Sequence, residues 1–425
     1  MENSGRRSSP AGATKIDDLI DDLVELILLH IPCRAGLVRS AATCKRWRRL
    51  IAGTGFLRRF RSLHRPRVVG HYCCVMRKAA VNAVFNHAPK PPPGATATFA
   101  PKSNYPLSMF HLTKLPHSTL TDSRGGLVAG FLHLDNSGVV VVFNPWIRKH
   151  KKLHAPACGR DKTYADCLGA FLLDDDDDTG SMSHFKVLCV HLLRQQCSND
   201  DDSKKKFTVE AQVYSARDDT WLLLSTTAVD ADDIAGHVSY TKPAFVFLGR
   251  AGGSLFWFAK KSVFHLNEVT GTFFSLTLPR PPVLDDDANS GSQIMISYGR
   301  SNLRVVDTGS TARLVRIVGD VLDVLRHNAT CVVLERRVHL PTQLLAASSM
   351  ESSMSWCFVN CMDEQLADRV VLSSPRDRRM FVVDVDNMTK LLVPTQTRDK
   401  SLLLPVDWVL PYEHPWPPII LERRA

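Results

Sequence analysis

The stretch AQVYSARDDTWLLL, residues 211–224, places two apolar runs around a short polar turn. This layout predicts a β-hairpin, because Asp, Asn, Gly and Thr accept turn conformations that β-branched flanks avoid. It returns at VVVVFNPWIRKHKKL (139–153), SVFHLNEVTGTFFSL (262–276), LRVVDTGSTARLVRI (303–317) and MFVVDVDNMTKLLV (380–393). Before two of these hairpins, RGGLVAGFL and AGGSLFWFA add a further strand signal, each introduced by paired glycines. Joining the two kinds of segment predicts four-stranded antiparallel units.

With Asn144, Asp218, Val269, Gly309 and Asn387 as turn markers, the spacings are 74, 51, 40 and 78 residues. The two shorter ones suit a single four-stranded blade, and 78 is close to two blades with a weakly marked hairpin near Ser348 to Trp356. The insertions LLDDDDDTGS and SNDDDSKKK lengthen the first spacing. A β-propeller of about five to seven four-stranded blades is the economical architecture, since radial repetition protects sheet edges. Either the strands at 68–76 or the final LPVDWVLPYEHPWPPIILERR completes a blade, and the proline-rich stretch 86–106 reads as a linker or long loop.

Ahead of the strands the periodicity is helical. Ile16, Leu19, Ile20, Leu23, Leu26, Ile27 and Ile31 recur at spacings of three and four, with Thr14 as the expected cap and Pro32 as the stop. A second helix is expected in RAGLVRSAATC, a third around Trp47, Leu50 and Ile51, and a further turn in GFLRRF. Residues 19–60 resemble an F-box, with Leu19, Leu23, Ile27, Ile31, Pro32, Leu37, Val38, Cys44, Trp47 and Phe56 at matching positions. Ile20 departs from the pattern, standing where the family has a proline on the surface that meets a Skp-type adaptor. Weakened docking is one consequence of that exchange. The adaptor-binding residues that the resemblance implies are Leu19, Ile20, Leu23, Ile27, Ile31, Pro32, Leu37, Val38 and Trp47. The strand region in turn resembles the F-box-associated propellers of plant F-box proteins, especially those of grasses, and YSARDDTW spaces Tyr214 and Trp221 as in a kelch repeat.

The formal net charge is +10, yet eleven Lys or Arg and no acid lie between Cys33 and Arg67. The excess is therefore local, suited to steering one acidic protein partner rather than to tracking a phosphate backbone. No Asn or Gln accompanies the arginines in a base-reading pattern, so no nucleic-acid partner is expected. The first fifteen residues contain no apolar core, and the eleven cysteines are scattered. This predicts reduced thiols in cytoplasm or nucleus. No apolar run approaches the roughly 18 residues of a membrane helix, so no membrane partner is expected.

Chemical motifs are sparse. The acidic runs at 174–178, 200–202 and 285–287 lack the ligand spacing of a calcium loop and read as solvated tips. Cys189 and His191, with His184 and Cys197, carry zinc-ligand atoms without a paired Cys-x-x-Cys knuckle. FKVLCVHLL is read instead as a strand with alternate residues inward. No nucleophile elbow, phosphate loop or His-Glu-x-x-His motif is present, so neither a cofactor nor intrinsic catalysis is expected. The tryptophans of the strand region are expected to pack between blades or to line a recognition pocket.

The expected organisation is mainly β: a disordered tail (1–13), a small three-helix F-box (14–62) and a propeller-like substrate-recognition domain (63–425). The resemblance implies a non-catalytic subunit of a Skp-cullin-F-box ubiquitin ligase, with a Skp-type adaptor, a cullin reached through it and an unknown protein substrate as partners. A stand-alone protein- or ligand-binding propeller with a decayed F-box is the alternative.

Overall fold

A computed structural model of the chain describes residues 19–31, 34–64, 68–77, 80–87, 118–134, 137–145, 147–154, 164–173, 182–195, 206–230, 245–259, 262–279, 296–297, 300–301, 303–307, 312–318, 321–327, 331–339, 357–359, 369–373, 380–384, 390–393 and 408–413. It divides into two compact units, the helices before Pro66 and the strands after Arg67. No described helix is long and apolar enough to cross a membrane.

The helical unit contains α1 (Asp21–Leu29), α2 (Arg34–Thr43), α3 (Lys45–Ile51) and α4 (Thr54–Leu63). The expected extra turn is thus a full helix of ten residues, with Gly53 at its N-cap and Phe56, Leu57 and Phe60 buried along one face. Helix α1 starts after Ile20, whose extended backbone (φ −65°, ψ 154°) forms the N-cap. Thr14, Ile16 and Pro32 lie outside the described residues. Cys44 caps α3 by accepting the Trp47 amide at 3.4 Å. The Cys-x-x-Trp spacing has this local cause, since an N-cap side chain reaches the amide three residues on. His64 Nε2 meets the Leu29 carbonyl at 2.6 Å and ties the end of α4 to the end of α1.

The stranded unit is a series of antiparallel meanders. The first contains β3 (Ser118–Arg124), β4 (Leu127–Leu134), β5 (Ser137–Asn144) and β6 (Lys149–His154). The second contains β7 (Tyr164–Leu173), β8 (Lys186–Gln195), β9 (Lys206–Ser215) and β10 (Thr220–Val229). The third contains β11 (Val246–Ala251), β12 (Ser254–Ala259), β13 (Ser262–Asn267) and β14 (Phe273–Thr277). After the short pair β15 (Ile296–Ser297) and β16 (Arg300–Ser301) comes the fourth, of β17 (Leu303–Asp307), β18 (Ala312–Val318), β19 (Val321–His327) and β20 (Val332–His339). The fifth contains β21 (Cys357–Val359), β22 (Arg369–Ser373), β23 (Met380–Asp384) and β24 (Lys390–Val393). The two rival closing segments turn out to be partners: β1 (Val68–Arg77) lies between β2 (Ala80–His87) and β25 (Trp408–Glu413) in a three-stranded sheet. The arrangement is propeller-like.

All five predicted hairpins form. Their turns are held by the residues that marked them: Asn267 Oδ1 accepts the Val269 and Thr270 amides at 3.0 and 2.9 Å, and Ser215 Oγ donates to Asp218 at 2.7 Å. One hairpin is out of phase with the others. The pair at 303–317 joins the first two strands of its sheet, whereas the other four join the last two. The equivalent hairpin in that sheet is β19–β20, which explains the short spacing after Val269 and the long one before Asn387. The proposed hairpin near Ser348 to Trp356 lies outside the described residues. The paired glycines make the tight turns between first and second strands, with positive φ at Gly125 (58°), Gly126 (82°), Gly252 (55°) and Gly253 (69°), as a two-residue hairpin requires.

The cores lie between sheets rather than within them. Phe171, Leu188 and Val190 of the second sheet pack with Leu255, Trp257 and Phe264 of the third. Leu248, Phe256 and Phe258 of the third pack with Leu303, Leu314 and Leu325 of the fourth. Strand β8 is therefore buried on both faces, Val187 through Leu193, and the expectation of alternate inward residues is corrected. First strands are also linked to one another. Thr121 Oγ1 donates to Ala170 O (2.6 Å), Leu172 N to Asp122 Oδ2 (2.7 Å), Arg250 Nη2 to Leu172 O (2.8 Å) and Arg304 Nη1 to Phe247 O (3.3 Å).

One buried charge cluster stiffens the fourth sheet. Asp323, fully buried, accepts Arg316 Nη2 at 2.8 Å and Arg337 Nε at 2.7 Å, and Arg316 also reaches Pro279 O. Burial would raise the Asp323 carboxyl, but hydrogen bonds from the two arginines outweigh it and hold the group below the ordinary range. Asp323→Ala leaves Arg316 buried without its carboxylate and is expected to destabilise the protein by about 3–5 kcal/mol in denaturant melts. Glu335→Ala, which removes the more exposed pairs to Arg313 and Arg326, is expected to cost below about 1 kcal/mol. Equal losses would contradict this account of the cluster.

Candidate functional site

Helix α1 is apolar on two sides. Val24, Leu28 and Leu29 face the interior with Leu37, Ile51, Phe56 and Phe60. The other side leaves Ile20 64%, Leu23 45%, Leu26 44% and Ile27 47% exposed. Their spacing of three and four places them in one stripe. Leu19, Ile31, Val38 and Trp47 are half-buried. Leu37 is fully buried, so its side chain belongs to the unit's interior and presents no docking surface in the free protein. Leu26, which was expected on the apolar face but was not among the adaptor-binding residues, joins the exposed stripe.

The cations around Trp47 serve the unit itself. Arg46 Nε bonds Asp21 Oδ1 at 2.7 Å and its guanidinium also reaches Leu19 O, while Arg49 meets Asp21 Oδ2 at 3.4 Å. Arg48 donates to Ala41 O at 3.2 Å, and Arg59 pairs with Glu25 at 2.8 Å. The Arg46 hydrogen bond holds the Asp21 carboxyl below its ordinary range. These bonds anchor α3 and α4 to α1 and fix the stripe's position. Arg39, Lys45 and Arg58 remain exposed.

Residues 16–59 match the F-box domain. No curated protein matches the chain. Among solved structures, similarity extends to apo AztD from Citrobacter koseri (10% identity, 76% of this chain and 82% of that one, TM-score 0.32). It extends also to TolB from Acinetobacter baumannii (8%, 76% and 62%, 0.32) and to the acylaminoacyl peptidase of Pyrococcus horikoshii (11%, 78% and 53%, 0.32). Likeness at that level fixes neither relationship nor activity.

In the stranded unit the aromatics play packing roles. Trp257 is fully buried, edge-on to Phe171 at 5.7 Å, with Nε1 donating to Leu168 O at 3.2 Å. Trp221 leans on Tyr214 at 5.3 Å and donates to His154 O, so the kelch-spaced pair ties the second sheet to β6. Lys151 completes that tie: its ammonium meets Asp219 at 2.8 Å, and Asp219 also accepts the Tyr214 hydroxyl. Trp146, Trp356 and Trp416, the side chain of Trp408, and the three acidic runs lie outside the described residues.

A serine–histidine pair went unnoticed in the sequence. His265 Nε2 lies 3.2 Å from Ser254 Oγ, on facing strands β13 and β12. Both side chains are buried, and among the described residues no partner meets His265 Nδ1, the nitrogen that a carboxylate orients in a catalytic imidazole. Burial, then the neighbouring His327, pushes the His265 imidazole down to about 4. Its other neighbours are the rings of Phe256 and Phe274.

A depressed histidine is neutral in both states above the unfolded value near 6.5, so its penalty enters only as the pH falls. The native state then resists a proton that the unfolded chain accepts, and stability is lost between about pH 6.5 and 4, by on the order of 3 kcal/mol for this group. His265→Gln is expected to flatten the acid limb of a stability-versus-pH series; an unchanged slope would contradict that assignment.

The backbone at Ile20 is already proline-like, since φ is −65°. Ile20→Pro is therefore expected to retain the helical circular dichroism signal and to change stability by less than about 1 kcal/mol. Loss of helix would show that Ile20 supports α1 through more than its backbone angle.

Proposed function

We propose that the chain is the substrate-recognition subunit of a Skp-cullin-F-box ubiquitin ligase. The observation that carries this reading is the exposed stripe of Ile20, Leu23, Leu26 and Ile27 on an F-box helix whose opposite side is fully packed. A monomer gains nothing from leaving four large apolar side chains in water along one helix, whereas an apolar groove on a helical adaptor would bury them. Leu19, Ile31, Val38 and Trp47 would border that contact, and Pro32 would continue it.

In this reading the stranded unit is an F-box-associated propeller of the plant type, with kelch-like features, and it captures a protein target in the cytoplasm or nucleus. Catalysis is then proximity. The adaptor and a cullin hold a substrate lysine near a charged conjugating enzyme, raising effective concentration without a catalytic residue in this chain.

The test is binding of the full-length protein to a Skp-type adaptor. Leu23→Asp with Ile27→Asp is expected to weaken binding at least 100-fold while the β-sheet circular dichroism signal persists, since both side chains are exposed in the free protein. Undiminished binding by that variant would overturn the docking surface, and no binding by the wild type would overturn the ligase role.

A further inference from the structure

The second sheet departs from its neighbours at one place. Strands β3, β7 and β11 each carry a β-bulge at the same position, between Leu120 and Asp122, Cys167 and Gly169, and Phe247 and Gly249. A bulge adds one residue and so changes which side chains share a face. In β7 it sets Cys167 opposite His191, on the face that His191 already shares with Cys189 two residues before it. Without the bulge Leu168 would take that place and Cys167 would point to the other face.

At the matching positions the first sheet has Leu120, Gly130 and Val128, and the third has Phe247, Trp257 and Leu255. Only the second sheet of these three replaces hydrocarbon with two thiols and an imidazole. Their ligand atoms all lie within 4.8 Å of one another. Cys189 Sγ and His191 Nε2 are 3.6 Å apart. Bonds of about 2.3 Å to sulfur and about 2.0 Å to nitrogen at tetrahedral angles would set such a pair about 3.6 Å apart.

We propose that Cys167, Cys189 and His191 form a binding site for a thiophilic tetrahedral cation, Zn²⁺ in the first instance. Two thiolates balance the dication, so the loaded site adds no net charge to the core around it, which includes Ala129, Val187 and Tyr214. Binding releases the two thiol protons. His191 is 3% exposed, and its Nδ1 has no hydrogen-bond partner among the described residues. With Nε2 on the metal, Nδ1 carries the hydrogen; Glu210 stands directly across from His191 on β9, where its carboxylate accepts from Gln212 Nε2 at 3.2 Å. The site joins β7 to β8 and would stiffen the sheet whose outer hairpin holds Tyr214 and Trp221. It does not depend on the ligase reading.

The test uses reduced full-length protein stripped with a chelator and titrated with Co²⁺, then Zn²⁺. One equivalent of Co²⁺ is expected to give thiolate-to-cobalt charge-transfer absorption with tetrahedral visible bands, erased by Zn²⁺, and Zn²⁺ is expected to raise the melting temperature. Cys167→Ala, at a half-buried position that tolerates truncation, is expected to weaken Co²⁺ binding at least tenfold and to remove one thiolate's share of the charge-transfer band. Cys331→Ala, at an exposed site, should change neither. Absence of the band in folded wild type would overturn the proposal. So would a band unchanged in both Cys167→Ala and Cys189→Ala, which would place the metal on other thiols.

Discussion

The pairing of β1 with β25 is the constraint on which the stranded unit depends. From Val68 against Glu413 to Cys74 against Trp408, the first and last strands share one antiparallel ladder. Bringing together segments more than 300 residues apart costs on the order of 5 kcal/mol in chain entropy. The ladder, the edge contact of Tyr72 with Tyr412 at 5.9 Å and the Tyr412 hydroxyl on Gly126 O at 3.2 Å offset that loss. Left unpaired, both strands would expose their backbone groups as edges open to aggregation. Between these ends each sheet is a local meander, and its core depends on the sheet beside it.

What could be seen in the sequence follows the range of the interaction. Hairpins were legible because the bonds that make them are local: Asn267 to Thr270, Ser215 to Asp218, and the positive φ of Gly125 and Gly126. Their phase was not, because a hairpin of first and second strands looks like one of third and fourth until the neighbouring sheet is known; hence the misplaced marker at Gly309. Closure was undecidable for the same reason, since nothing near Val68 signals Trp408. Burial of β8 on both faces, and the entry of Cys167 into a cluster with His191, both follow from partners and a bulge that no periodicity reveals. The zinc-ligand atoms at Cys189 and His191 were visible, but the side chain that joins their cluster is Cys167 of β7 rather than His184, and Cys197 lies outside the described residues.

In the F-box the helices and their order were legible, while the role of each apolar position was not. Periodicity marked Leu23 and Ile27 as one face without showing whether that face pointed in or out. The structure separates them: Val24 and Leu28 make the core, and the marked stripe is exposed. The basic run reads similarly. Its arginines look like a surface charge for a partner, yet Arg46, Arg48 and Arg49 bond to Asp21 and Ala41, and so hold the stripe in place. In the proposed docking, the energy would come mainly from apolar burial, with steering from the remaining cations.

The central claim is that this stripe is covered by a Skp-type adaptor. Amide hydrogen exchange of the full-length protein, with and without the adaptor, addresses it most directly. The account predicts slowed exchange concentrated in residues 20–31 and in the neighbouring residues around Val38 and Trp47, with strands β3 to β20 unchanged. Protection confined to the strands, or none anywhere at saturating adaptor, would contradict it.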